Sequence, residues 1–264
     1  MSAHDEARLG RLADMLWDAR ALGRPCPAPT SLEAEFSLGD AYRVSLLNHR
    51  RRLELGVRAV GAKIGLTSAA VQRQLGVDQP DFGYLCSDML VADGGVLPRG
   101  ALLQGRVEGE VAFTLKSDLR GPGVGAAEVA AATLHVSAAI EVIDSRVEGW
   151  RIKIEDTVAD NASSAAFVLS TTPRPLSAVD LPAAAMTLWK NGAVASTGVG
   201  TACMGDPALA VAWLANTFGA LGETLRAGDI VLSGAYGPVV PFGPGDRCAV
   251  EISGLGRASC SCAP

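Results

Sequence analysis

The chain has 264 residues, 48% hydrophobic and 19% charged, so a sizeable core is available and general disorder is excluded. A formal net charge of −5 argues against a nucleic-acid backbone as partner. It suits a small anionic substrate only where a metal or a local cation reverses the field. The opening Met1-Ser2-Ala3-His4-Asp5-Glu6 is acidic and unlike a secretory leader. The most apolar run, Ala126 to Ile143, is broken by Glu128, His135 and Glu141, so no membrane span is expected. Cys26, Cys86, Cys203, Cys248, Cys260 and Cys262 form no CxxC pair and read as reduced thiols in a cytoplasm.

In chain order, Leu9, Leu12, Leu16 and Ala19 recur at helical spacing and predict an amphipathic helix over Glu6 to Leu22. Three prolines between Pro25 and Ser31 make a linker. A second helix is expected from Asp40 as N-cap to a stop at Gly56, with His49-Arg50-Arg51-Arg52 on a solvated face. Val57 to Leu66 reads as a buried strand, and Ser68 to Leu75 as a short helix. Further strands are expected at Glu108–Leu115, Ala138–Ile143, Ala165–Leu169, Ala185–Lys190, Ile230–Ser233 and Arg247–Ile252. Helices are expected at Glu128–Ser137 and at Ala208–Leu221, the latter with Asp206 as cap, Pro207 at the first turn and Gly222 at its end. Asn191-Gly192 and Pro244-Gly245-Asp246 are turns, and Cys260-Ser261-Cys262 reads as an incidental polar tail. The pattern is α+β: a helical N-terminal segment, residues 1–60, before a domain of residues 61–264 with a substantial mixed sheet.

Much familiar chemistry is missing. His4, His49 and His135 are far apart in sequence, which disfavours a multi-histidine zinc site. Gly123-Val124-Gly125 lacks the rest of a dinucleotide fingerprint, and Ser233-Gly234 is no nucleophile elbow. Carboxylates remain. Glu108 and Glu110 flank Gly109 on one strand, so their side chains share a face roughly 7 Å apart. They can converge on one cation, with Gly109 leaving the other face open to close approach; the same spacing also describes a solvent-facing polar pair. Glu141 lies in Ala138-Ala139-Ile140-Glu141-Val142-Ile143, where burial demands a cation, a donor cluster or a raised pKa. Brought together, three carboxylates would repel by roughly 3–4 kcal/mol per pair, and Mg²⁺ or Mn²⁺ with oxygen ligands would relieve that. Lys63, in Gly61-Ala62-Lys63-Ile64-Gly65, is either a buried acid–base group or an edge-strand lysine reaching water. Asp81 sits in a Pro/Gly setting that equally describes an ordinary turn.

Several motifs follow one another along the chain. They are Gly61-x-Lys63-Ile64-Gly65-Leu66-Thr67-Ser68, Gly76-Val77-Asp78-Gln79-Pro80-Asp81-Phe82-Gly83, Val107-Glu108-Gly109-Glu110 and Glu141-Val142-Ile143-Asp144-Ser145-Arg146. Asp156-Thr157-Val158-Ala159-Asp160-Asn161-Ala162-Ser163, Trp213-Leu214-Ala215-Asn216 and Ala227-Gly228-Asp229-Ile230-Val231-Leu232-Ser233-Gly234 continue the set. Taken in order, these motifs resemble the 2-keto-4-pentenoate hydratase family of the fumarylacetoacetate hydrolase superfamily. The resemblance implies a mixed, curved β-sheet roll, with Mg²⁺ or Mn²⁺ held by Glu108, Glu110 and Glu141. It also implies Lys63 and Asp81 as an acid–base pair, and Ser163 as a donor to the substrate carboxylate. The implied reaction hydrates 2-hydroxypenta-2,4-dienoate to 4-hydroxy-2-oxopentanoate in meta-cleavage catabolism, by a cytoplasmic homo-oligomer that associates with a pathway decarboxylase. The alternatives are a 4-oxalocrotonate-type decarboxylase with the same metal arrangement, and a non-catalytic partner subunit. Asp206-Pro207 stands where the family commonly has His-Pro, and the tail from Cys260 departs from the family's usual ending.

Overall fold

The computed structural model describes residues 3–68, 72 and 79–264. Most of the expected Ser68–Leu75 helix and the Gly76-Val77-Asp78 part of the second motif lie outside the described residues. Helix α1 spans Ala3–Leu22 and α2 spans Leu38–Glu54. Ser37 is the α2 N-cap, where the sequence suggests Asp40: its hydroxyl accepts from Asp40 N at 3.1 Å, and the Asp40 carboxylate instead receives Arg8 Nη2 at 2.9 Å. Leu9, Leu12, Leu16 and Val44 pack on Val158 and Ala159 of helix α4, Ile154–Ala159, which ties the N-terminal helices to the sheet domain.

The first sheet contains β1 (Ala59–Gly65), β2 (Asp81–Cys86), β3 (Leu90–Val91), β5 (Arg106–Leu115), β6 (Thr133–Ile143), β7 (Ser164–Leu169), β10 (Ile230–Leu232) and β11 (Val240–Pro241). Its order is β2-β1-β10-β5-β6-β7-β3, with β11 paired to β5; β1–β10 and β3–β7 are parallel pairs. The second sheet, β4-β13-β12-β8-β9, uses β4 (Gly95–Leu97), β8 (Ala185–Lys190), β9 (Ala193–Val199), β12 (Arg247–Ile252) and β13 (Gly256–Cys262). The architecture is the expected α+β roll of mixed sheet with N-terminal helices. The main core lies between the sheets, where Val107, Val111 and Phe113 of β5 join Met186, Leu188, Val250 and Ile252. Helix α5, Pro207–Ala220, closes one side of it; Asp206 caps this helix by accepting from Ala208 N at 2.8 Å.

Several local expectations change. The helix expected over Glu128–Ser137 is α3, Ala126–Ala132, and the chain turns to strand at Thr133. Alanine-rich sequence favours helix locally, but the long antiparallel pairing of β6 with β5 overrides that propensity. Asp81 begins strand β2, paired to Gly65, and is no turn residue. The tail is no solvated appendage: Cys260 and Cys262 are buried in β13, an interior strand of the second sheet between β12 and β4. Asn191 and Gly192, both at positive φ, make the two-residue hairpin between β8 and β9. Among the described residues, no helix is long and apolar enough to cross a membrane.

Phe82 joins three elements. It stacks on Tyr42 of α2 at 4.4 Å and meets Phe218 of α5 edge-on at 5.1 Å. Phe82→Ala is expected to lower the unfolding free energy by about 3–5 kcal/mol in urea titration. A loss below about 1 kcal/mol would show that this ring cluster does not join the helices to β2.

Candidate active site

Alternation along β5 turns Val107, Gly109 and Val111 toward the second sheet, and Glu108 and Glu110 toward the opposite face. Gly109 is required on the core side: a Cβ there would press on Val250 Cγ2 at 2.6 Å and on Met186 at 3.0 Å. On β6, Glu141 stands directly across from Glu108 in the register. One carboxylate oxygen each from Glu108, Glu110 and Glu141 can be chosen so that all lie within 4.8 Å of one another. Glu110 and Glu141 are fully buried and Glu108 is half-buried.

Lys63 enters from β1, an interior strand, which removes the edge-strand reading. Its side chain is buried, and Nζ lies 3.5 Å from Glu141 Oε1. Asp81 projects from β2 opposite Gly65 and is also buried. A Cβ on Gly65 would strike the Asp81 carboxylate and stand 3.1 Å from Lys63 Nζ, so glycine makes room for this pair. Lys63 and Asp81 therefore join the carboxylate trio in one cluster.

Charge accounts for the unusual acid–base character of the cluster. Burial, then the charge of Glu141, pushes Glu108 up to about 7. The same two causes, in the same order, hold Glu110 well above the ordinary carboxylate range. Burial also raises Glu141 and Asp81, in both cases against the pull of Lys63. Burial alone would lower the Lys63 ammonium, but Glu141, Asp81, Glu108 and Glu110 outweigh it and leave it above its usual value. Glu110 Oε2 accepts from Gly234 N at 2.8 Å. Among the described residues Glu110 Oε1 accepts no hydrogen bond, and the Glu141 carboxylate is faced by the Lys63 ammonium and the Ser164 hydroxyl. A buried carboxylate oxygen left without a partner fits a hard divalent cation that prefers oxygen ligands.

Ser163 is buried on a turn, Asn161-Ala162-Ser163, whose three residues all adopt positive φ. Its hydroxyl lies 3.1 Å from Thr157 Oγ1, and no hydrogen bond among the described residues joins it to the carboxylates or Lys63. Sequence reasoning missed what this turn does. Asn161 accepts from Tyr84 N at 2.8 Å and donates to Tyr84 O at 3.0 Å, so its amide serves as the neighbour of edge strand β2. The Asn161 carbonyl fills the space where a Gly83 side chain would stand. Gly234 was missed too; it sits at φ +107 against Thr67, and its N–H fixes Glu110. The glycines in both motifs were the available signal.

The fumarylacetoacetate hydrolase C-terminal family matches residues 55–262. Over 252 residues, 94% of each chain, the protein is 48% identical to 2-hydroxyhexa-2,4-dienoate hydratase of Comamonas testosteroni. It is 51% identical over 219 residues, 83% of each chain, to 2-keto-4-pentenoate hydratase 1 of Dechloromonas aromatica (strain RCB). The structure of 4-oxalocrotonate decarboxylase from Pseudomonas putida G7, complexed with magnesium and adipate, superposes with a TM-score of 0.93 at 36% identity over 97% of both chains. The chain belongs to the fumarylacetoacetate hydrolase superfamily and, within it, to the 2-keto-4-pentenoate hydratase family.

Filling the space beside Lys63 tests the packing of the site. Gly65→Ala is expected to destabilise the protein by about 1–3 kcal/mol through overpacking against Asp81 and Lys63. Parent-like stability in urea would show that the space Gly65 leaves is not needed.

Proposed function

We propose that the chain is a divalent-metal-dependent hydro-lyase that adds water to 2-hydroxypenta-2,4-dienoate, giving 4-hydroxy-2-oxopentanoate in the meta-cleavage breakdown of aromatic compounds. The observation that carries this reading is the close trio Glu108, Glu110 and Glu141 with Lys63 and Asp81 set against it. Identities of 48% and 51% to two hydratases, against 36% to the decarboxylase, favour hydration over decarboxylation. Six free, buried cysteines support a reducing, cytoplasmic setting. Homo-oligomer formation and association with a pathway decarboxylase belong to the same proposal.

Held by Glu108, Glu110 and Glu141, Mg²⁺ or Mn²⁺ would supply Lewis-acid polarisation of a 2-oxo group and neutralise the adjoining carboxylate. The remaining work is proton transfer by the chain. The reaction takes one proton from the 2-hydroxyl and one from the attacking water, bonds the water oxygen to C4, and delivers one proton to C5 and one to C3. Lys63 and Asp81 are assigned to give and take these protons, supported by the neighbouring carboxylates that hold Lys63 as the ammonium and by the burial that raises the Asp81 carboxyl. Ser163 would exchange Thr157 for the substrate carboxylate.

With freshly generated 2-hydroxypenta-2,4-dienoate, ultraviolet absorbance is expected to fall in Mg²⁺ or Mn²⁺ and not in EDTA, with 4-hydroxy-2-oxopentanoate as product. Release of CO₂ from 4-oxalocrotonate without dienoate turnover would move the chain to the decarboxylase branch, and silence on both would favour a non-catalytic partner. Lys63→Ala is expected to cut kcat by about 10²- to 10⁴-fold while metal affinity changes far less. Equal loss of both would remove Lys63 from the proton-transfer role.

A further inference from the structure

Beyond β10 the chain no longer runs as a regular ladder beside β5. Ser233 N donates to Val111 O and Tyr236 N to Gly109 O, each at 3.0 Å. Between these two bonds lies Gly234, whose N–H leaves the ladder and donates to Glu110 Oε2 at 2.8 Å. Among the described residues it is the one donor to that carboxylate, so Oε2 is committed and Oε1 is left without a partner. Gly234 is in a left-handed conformation, φ +107, and glycine by itself resists rotation of the peptide before it only weakly. The direction of this N–H therefore has to be set from outside the segment.

At the other end of the same peptide stands a buried side chain that neither proton transfer nor cation holding uses. Cys203, fully buried just ahead of α5, donates its thiol to Ser233 O at 2.7 Å. The Ser233 carbonyl and the Gly234 N–H belong to one planar trans peptide and point in opposite directions. A donor on the oxygen thus fixes where the hydrogen points, and it polarises the peptide toward a stronger bond at the far end. Burial, ahead of the Thr67 and Ser233 hydroxyls that pull the other way, pushes the thiol up to about 12, so at neutral pH it keeps the proton it donates. Thr67 closes the arrangement from behind. Its side chain fills the space where a Gly234 Cβ would stand, and its carbonyl accepts from Met204 N, next to Cys203, at 3.2 Å. We propose that Cys203 is a positioning residue for the cation site: through the Ser233–Gly234 peptide it holds Glu110 Oε2 in place and leaves Oε1 for the cation. The inference rests on the reading of Glu108, Glu110 and Glu141 as metal ligands, and adds a residue that acts on one of them through the backbone.

Mn²⁺ titrated into the metal-free full chain, with each variant held well below its melting temperature, tests the assignment. Cys203→Ala, which removes the donor, is expected to weaken Mn²⁺ binding about three- to tenfold. Cys203→Ser, which keeps a donor, is expected to stay within about twofold of the parent. Cys248→Ala empties a buried cysteine site in β12 of the second sheet and is expected to bind like the parent. Hydrogen exchange at the Gly234 amide, followed by NMR without metal, is expected to quicken in Cys203→Ala and not in Cys203→Ser. Unchanged affinity or unchanged exchange in Cys203→Ala would overturn the proposal and leave the cation site standing. Equal weakening in Cys203→Ser or Cys248→Ala would also overturn it, by reducing the effect to packing. Failure of the parent itself to bind Mn²⁺ would remove the metal reading and this proposal together.

Discussion

Three carboxylates meet on one face of the first sheet, and the chain supplies one ammonium against them. Glu108 and Glu141 stand directly across a strand pair, where like charges are unfavourable. At the separations in the cluster, each carboxylate pair would repel by roughly 3–4 kcal/mol at an effective dielectric of 20. Lys63 offsets part of this, at 3.5 Å from Glu141. The sheet holds the arrangement because the long β5–β6 register and the inter-sheet core leave neither strand free to shift. What the charges still lack, a divalent cation can provide, and that need makes the site reactive toward a small anionic 2-oxo acid despite the chain's negative net charge.

Glycine, in this frame, is spacing material. Gly109 lets the second sheet close on the back of the two glutamates, and Gly65 leaves the volume that Asp81 and Lys63 occupy. Gly83 admits the Asn161 carbonyl, so an irregular turn can stand in for a missing neighbour on β2. Each removes a side chain at a place where backbone or catalytic atoms need the room. The strain of three successive positive-φ residues at Asn161–Ser163 is held in place by hydrogen bonds from this turn to Tyr84 and from Asp144 N to Ser163 O.

Sequence carried the fold class and named the residues that the cluster brings together, but not how they converge. Glu108 and Glu110 are legible because strand alternation is local, and Glu141 because a carboxylate in an apolar run demands a partner. Their convergence is not local: it depends on a β5–β6 register that only long-range pairing sets, and the family resemblance had to stand in for it. The same non-local pairing explains the error at Thr133–Ser137, where an alanine-rich helix propensity yields to β6. Asp81 reads as a turn residue beside Pro80 and Gly83, yet it is the first residue of a fully buried strand. The tail was misread because Cys260 and Cys262 alternate with polar Ser261 in too short a span to show that β13 lies inside a sheet. Asn161 and Gly234 act through backbone geometry, for which side-chain chemistry in the sequence offers little signal.

The direct test of the central constraint is Mn²⁺ binding to the metal-free chain, followed by electron paramagnetic resonance. One Mn²⁺ per chain is expected, with Glu141→Gln abolishing that site while circular dichroism stays that of the parent. No tight site in the parent, or a site that survives loss of Glu141, would show that the three clustered carboxylates do not exist to hold a cation.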